Sequence, residues 1–119
     1  MIATGSSIRV LLVDMPRMMR EIVATVVGAE PDLELVGEIE GPETLTAGAR
    51  RTRPDLVIAG ANPALGHLSR QLLGDHPRLR ILEVDVEGRR GYLYELSPRR
   101  RSLGELSPKS LLAVARERS

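Results

Sequence analysis

The sequence predicts an α/β fold, with a mostly parallel central sheet between two layers of helix. Three observations carry this reading. Apolar, β-branched runs recur at Ile8–Val13, Leu33–Ile39, Leu56–Ala59 and Arg80–Val86. Segments of helical period separate them. Turn dipeptides, Pro31-Asp32, Gly41-Pro42 and Pro54-Asp55, punctuate the junctions. Strands that alternate with helices build parallel sheets, because each helix returns the chain to the same end of the sheet.

Ile8–Val13 and Leu56–Ala59 are unbroken enough to be central strands covered on both faces. Asp14 ends the first, and Pro16 suits the first turn of a helix. In that helix Met18, Met19, Ile22, Val23, Val26 and Val27 repeat at helical spacing up to Gly28. At ~100° per residue they cover close to half the circumference. A single buried stripe needs less, so the helix is either deep or meets a partner on one side. Met18 and Met19 read most simply as core, since Met fills irregular gaps. A second helix is predicted over Glu43–Arg53 and a third over Ala64–Asp75, with Leu65, Leu68 and Leu72 on one face.

The C-terminal third breaks the alternation. The next strand, Gly91–Leu96, starts only five residues after Val86. A parallel return needs a crossover of roughly a dozen residues, so the two strands should run antiparallel as a hairpin. No helix fits between them. Arg101–Leu106 reads as a further hairpin strand after the turn at Ser97–Arg100. One face of Arg80–Val86 carries Glu83 and Asp85 and is left without a covering helix. Ser107 and Pro108 then suit the N-cap and first position of a last helix ending near Arg118.

Composition narrows the function. The chain has 119 residues, one domain's length, with 42% apolar and 28% charged residues and a net charge of +1. Residues 1–7 read as a disordered lead without signal-peptide character, and 8–119 as the domain. Near-neutral charge gives no general pull toward nucleic acid or anionic membrane. The absence of Cys removes disulfides and thiolate chemistry and fits the cytoplasm. No apolar run is long enough to span a bilayer.

The ordered motifs resemble a bacterial response-regulator receiver domain. Ile8–Asp14 is similar to the family's first strand and its acidic end. Arg20-Glu21 matches a pair common in its first helix. Glu30–Glu38 resembles the second-strand region of one transcription-factor subfamily, and Arg53–Ile58 the run before the phosphoacceptor. The likeness is good over residues 8–60, fair to 85 and poor beyond. It implies a flavodoxin-like, three-layer fold in two-component signal transduction, here with the fourth helix missing and an antiparallel C-terminal hairpin.

The departures from the family fall on its chemistry. The resemblance implies an acidic pair for Mg²⁺, an acceptor Asp, a hydroxyl and a Lys. The acidic pair becomes Asp14-Met15, and a thioether is no ligand for Mg²⁺. The acceptor position falls on Gly60, which has no nucleophile. The hydroxyl and Lys positions fall at or near Asp85 and Glu95, whose charges would repel a phosphoryl group. The sequence therefore predicts a pseudo-receiver: no enzyme, no cofactor, no metal, and action through protein–protein contact, most cheaply as a homodimer. The candidate interface is Met18, Met19, Ile22, Val23, Tyr92 and Tyr94.

Plainer and rival readings stand beside these. Asp14 can be a turn or N-cap residue, or it can join Asp85 and Glu95 at the strand ends, where open α/β sheets bind ligands. A small-molecule or cation sensor is the alternative function, with Gly60 leaving room for the ligand. Arg89-Arg90 and Arg99–Arg101 read as solvated turns rather than a phosphate-binding patch. His67 and His76 are isolated.

Overall fold

The computed structural model describes residues 7–41, 44–85, 90–95 and 100–117, with the side chains of 100–102 outside the description. Ten elements follow in order: β1 (Ile8–Val13), α1 (Arg17–Gly28), β2 (Leu33–Ile39), α2 (Leu45–Thr52), β3 (Leu56–Gly60), α3 (Leu65–Asp75), β4 (Arg80–Val84), β5 (Arg90–Tyr94), β6 (Arg100–Glu105) and α4 (Pro108–Arg116). They form one six-stranded sheet in the order β2-β1-β3-β4-β5-β6. The first four strands are parallel; β5 runs antiparallel to both β4 and β6. The fold is the flavodoxin-like one with a C-terminal antiparallel hairpin, as the short link after the fourth strand requires.

The central strands are apolar on both faces because both faces are covered. Val10, Leu12, Ile58, Leu82 and Leu93 pack toward α1 and α4. Leu11, Val13, Val57, Ala59 and Ile81 pack toward α2 and α3. Alternation along each strand thus divides the core into two layers.

Several boundaries and burials differ from expectation. Pro16 is the residue before α1, with φ −55° and ψ 148°, rather than part of its first turn. Met18 is not core: it is 74% exposed, as Ile22 is at 49%, while Val23 and Val27 face inward. The apolar arc of α1 is wider than the sheet can cover, so its outer edge meets solvent. Glu43, Arg89, Ser97, Arg99 and residues 1–6 lie outside the described residues; Ser7 is exposed. Ser107 caps α4 as expected, its Oγ accepting from Ser110 N at 3.2 Å, with Pro108 opening the helix.

Two arginines fasten α4. Arg80, buried at the start of β4, donates from both terminal nitrogens to the carbonyls of Val114 and Ala115, the latter at 2.7 Å. Its charge meets the negative end of the helix dipole, where the last carbonyls lack helical partners. Arg116 donates to both oxygens of Asp32 at 2.8 and 2.9 Å and also to Glu30. Nothing in the local sequence marks Arg80 as a cap, because its partners lie more than thirty residues away.

Replacing Arg80 with Ala removes both side-chain donors from the end of α4, where Val114 O keeps only the N–H of Glu117, and should cost about 2–4 kcal/mol in urea denaturation. The hydrogen bonds from Arg116 hold the Asp32 carboxyl below its ordinary range, against a smaller desolvation effect that raises it. The folded state therefore releases this proton more readily than the unfolded chain. Its stabilisation is full above the unfolded Asp value of about 3.9 and is lost as pH falls toward the lowered folded value. Arg116→Gln should flatten that part of a stability–pH profile and leave the neutral-to-basic part parallel to wild type.

Candidate functional site

The parallel strands end in a row, with Asp14 after β1, Gly60 closing β3 and Asp85 after β4. Asp14 is one of two described non-glycine residues at positive φ, at 52°. Short polar Asp tolerates this left-handed region better than most residues. The residue acts as a turn and not as a helix cap: α1 begins after Pro16 with no side-chain cap. Its carboxylate accepts from Asn62 Nδ2 at 3.2 Å, and Asn62 Oδ1 accepts from Ala64 N at 2.8 Å. Asn62 thus links the β1 turn to the start of α3.

Gly60 is more than a missing nucleophile. It is buried, and a Cβ there would stand 2.4 Å from the carbonyl oxygen of Asp14. That atom is backbone, so no side-chain rotation relieves the contact. The position expected to leave room for a ligand is closed by the neighbouring turn.

Met15 is 8% exposed and belongs to the core layer beneath α1 and α4. An apolar side chain stands next to Asp14 where a second hard oxygen donor would be needed. With Gly60 bare as well, these residues do not fit a Mg²⁺ site. Among the described residues, no three His, Cys, Asp or Glu side chains are grouped to hold a metal.

Glu95 does not join this end of the sheet. β5 pairs antiparallel with β4, Tyr94 opposite Ile81 and Gly91 opposite Val84. Residue 95 therefore lies near the start of β4 and Asp85 just beyond its end. A strand of this length separates them by about 15 Å. The three-carboxylate cluster is excluded by the reversal of β5.

A cleft beside Asp14 lies on its other side, toward β2. It has a volume of about 310 Å³ and is lined by Asp14, Met15, Arg17, Arg20, Ile39 and Glu40. Arg20 pairs with Glu38 at 3.5 Å and Arg17 with Glu21 at 3.2 Å. Neither Gly60 nor Asp85 lines it. Sequence reasoning noted Arg20-Glu21 as a family pair but did not foresee this placement.

The candidate interface residues divide between two surfaces. Met18 and Ile22 lie along the outer side of α1, Met19 is half-buried against the core, and Val23 is buried at 3%. Leu93 of β5 faces the α1–α4 core layer, so alternation sends Tyr92 and Tyr94 to the opposite face. Tyr94 packs on the α2–α3 layer and donates its hydroxyl to Glu83 Oε1 at 2.8 Å. The tyrosines and methionines cannot form one patch.

No family model matches the chain. Over 82 residues it is 32% identical to the response regulator GacA of Pseudomonas viridiflava, which is 66% of this chain and 38% of that protein. The chain thus corresponds to well under half of that relative's length. Its fold matches the signal receiver domain of the response regulator NarL from Mycobacterium tuberculosis, with a TM-score of 0.60 over 68% of each chain and 17% identity. The sequence relationship and the shared fold together support a receiver domain; the structural likeness by itself speaks for the fold.

The closeness of Asp14 to Gly60 has a measurable cost. Gly60→Ala should destabilise by about 1–3 kcal/mol, through forced displacement of backbone. Gly66→Ala on α3, where a Cβ meets nothing within 4 Å, should be neutral or stabilising. Equal thermal shifts for the two variants would contradict the steric account.

Proposed function

We propose that this receiver domain signals without accepting a phosphoryl group, and that it acts through protein–protein contact, in the first instance with itself. The observation that carries the reading is position 60. A phosphoacceptor needs a carboxylate there, and at this buried glycine even a Cβ would stand 2.4 Å from the Asp14 carbonyl oxygen. The surrounding chemistry agrees. Asp14 stands beside a buried thioether, and Asp85 replaces a neutral hydroxyl with a charge that opposes a phosphoryl group. Among the described residues, no group at this end of the sheet offers the combination of nucleophile and metal ligands that phosphoryl transfer requires.

What remains for signalling is surface. The outer side of α1 exposes large apolar side chains, and the β4–β5 face is covered by tyrosine and glutamate rather than by a helix. Surface of this kind suits recognition of another folded protein better than capture of a small ligand. A cytoplasmic place fits such a role, and no helix among the described residues is long and apolar enough to cross a membrane.

Intact mass after incubation with acetyl phosphate and Mg²⁺ tests the reading. The expected result is an unchanged mass beside a control receiver that gains one phosphate. A stoichiometric gain would overturn it.

A further inference from the structure

We infer that the end of the domain where α2 and α3 finish docks an acidic segment of another protein. This rests on the protein-contact reading above and gives a partner its chemistry. Between α2 and α3 lies a cleft of about 340 Å³, lined by Thr46, Gln71, Leu72 and Asp75. Arg50 stands one turn along α2 from Thr46, on the same stripe. Arg51 follows, and Arg53 closes the helix in the left-handed region at φ 50°. Leu56 pairs with Arg80 in the sheet, and Arg80 N donates to Asp55 O, so the connections into β3 and β4 run side by side. Arg78 lies in the second of them. This end holds the starts of β3 and β4, away from Asp14 and Gly60 at the ends of the strands.

Arg50, Arg51, Arg53 and Arg78 are all exposed, and none pairs with a carboxylate among the described residues. By contrast, Arg9, Arg17, Arg20 and Arg116 each meet a carboxylate of α1, β2 or the connection between them. Cations in the last turn of a helix ordinarily serve its unpaired carbonyls. Here Arg9 does so for α2, donating from two nitrogens to Thr52 O at 3.2 and 2.8 Å. The Arg53 N–H takes the Ala49 carbonyl. Arg50 and Arg51 are thus left to the surface. Asp55 and Asp75 are the acidic residues of this end, and Asp55 already accepts from Arg9 N at 2.9 Å. The guanidiniums outnumber them, in a chain whose net charge is only +1. Charge and extent select the occupant. A guanidinium fork matches a carboxylate, and Thr46 and Gln71 can hydrogen-bond a peptide backbone. Nucleic acid fits less well. A duplex is commonly held through about six to ten phosphate contacts, more than this patch supplies. The chain's two aromatic residues are both on β5, so no ring is here for a base to stack on.

Fluorescence anisotropy with a labelled deca-glutamate peptide tests the inference, in about 20 mM salt, where screening is weak, and again in about 300 mM. Saturable binding is expected, weaker at the higher salt. The double variant Arg50→Glu/Arg51→Glu should weaken it by at least about tenfold, through like-charge repulsion. Arg78→Glu, on the neighbouring connection, should weaken it as well. Arg17→Glu, an equal charge reversal on α1, should leave it unchanged. Circular dichroism of each variant confirms folding. Absence of binding, or a loss in Arg17→Glu as large as in the double variant, would overturn the inference. So would tighter binding of a deoxythymidine strand of about equal charge, which would assign the patch to nucleic acid. Any of these would leave the non-phosphorylated reading intact. Phosphate incorporation would remove that reading without touching this surface.

Discussion

The five residues between β4 and β5 decide most of what distinguishes this domain. A parallel return to the sheet needs a crossover of about a dozen residues, so the chain can only turn back on its neighbour. Asp85 N donates to Arg90 O at 2.9 Å and closes the hairpin. Because β5 is reversed, β6 must reverse again before the chain can leave at the end of the sheet from which a last helix can start. The sheet therefore gains a sixth strand, and α4 crosses back to pack beside α1. On the opposite face of β4 and β5, Ile81 is buried in the α2–α3 layer, and Glu83, Tyr92 and Tyr94 beyond it are half-buried.

A helix that arrives by this route needs its own fastening. Leu111, Val114 and Ala115 supply the apolar side. Direction and end-point come from arginines: Arg80 under the last turn, and Arg116 against Asp32 and Glu30 in the α1–β2 connection. A buried guanidinium is costly unless its donors are satisfied, and the unpaired carbonyls of a helix end are acceptors of matching need.

How much of this was legible in the sequence follows from the range of the forces. Strand runs, turn dipeptides, the Ser107-Pro108 cap and the antiparallel hairpin depend on neighbours or on chain length, and all could be read. The surplus apolar arc of α1 was also legible, but not which edge of it stays exposed, because α4 decides that. Arg80 looked like an ordinary strand residue, since its partners are remote carbonyls. Glu95 falls at the family's Lys position only by order along the chain, and the strand reversal that carries it away from Asp14 and Asp85 was itself visible in the sequence. Gly60 was legible as an absent carboxylate. Its contact with Asp14 was not, because it depends on a positive φ in another strand's turn.

That contact is the last step in the physical account of the site. In an α/β sheet the ends of adjacent parallel strands form the usual ligand crevice, and room there depends on the turns that leave the strands. The left-handed turn at Asp14 brings its carbonyl against β3. Only a residue without Cβ fits opposite, and Gly60 supplies it. Met15, next along the turn, goes to the core. With Met15 buried, the turn has nothing to gain by presenting a second ligand. With glycine at 60, the turn can close. Restoring a carboxylate at position 60 would then require the β1–α1 turn to be rebuilt as well. The closure of this end of the sheet is a property of backbone packing as much as of side-chain identity.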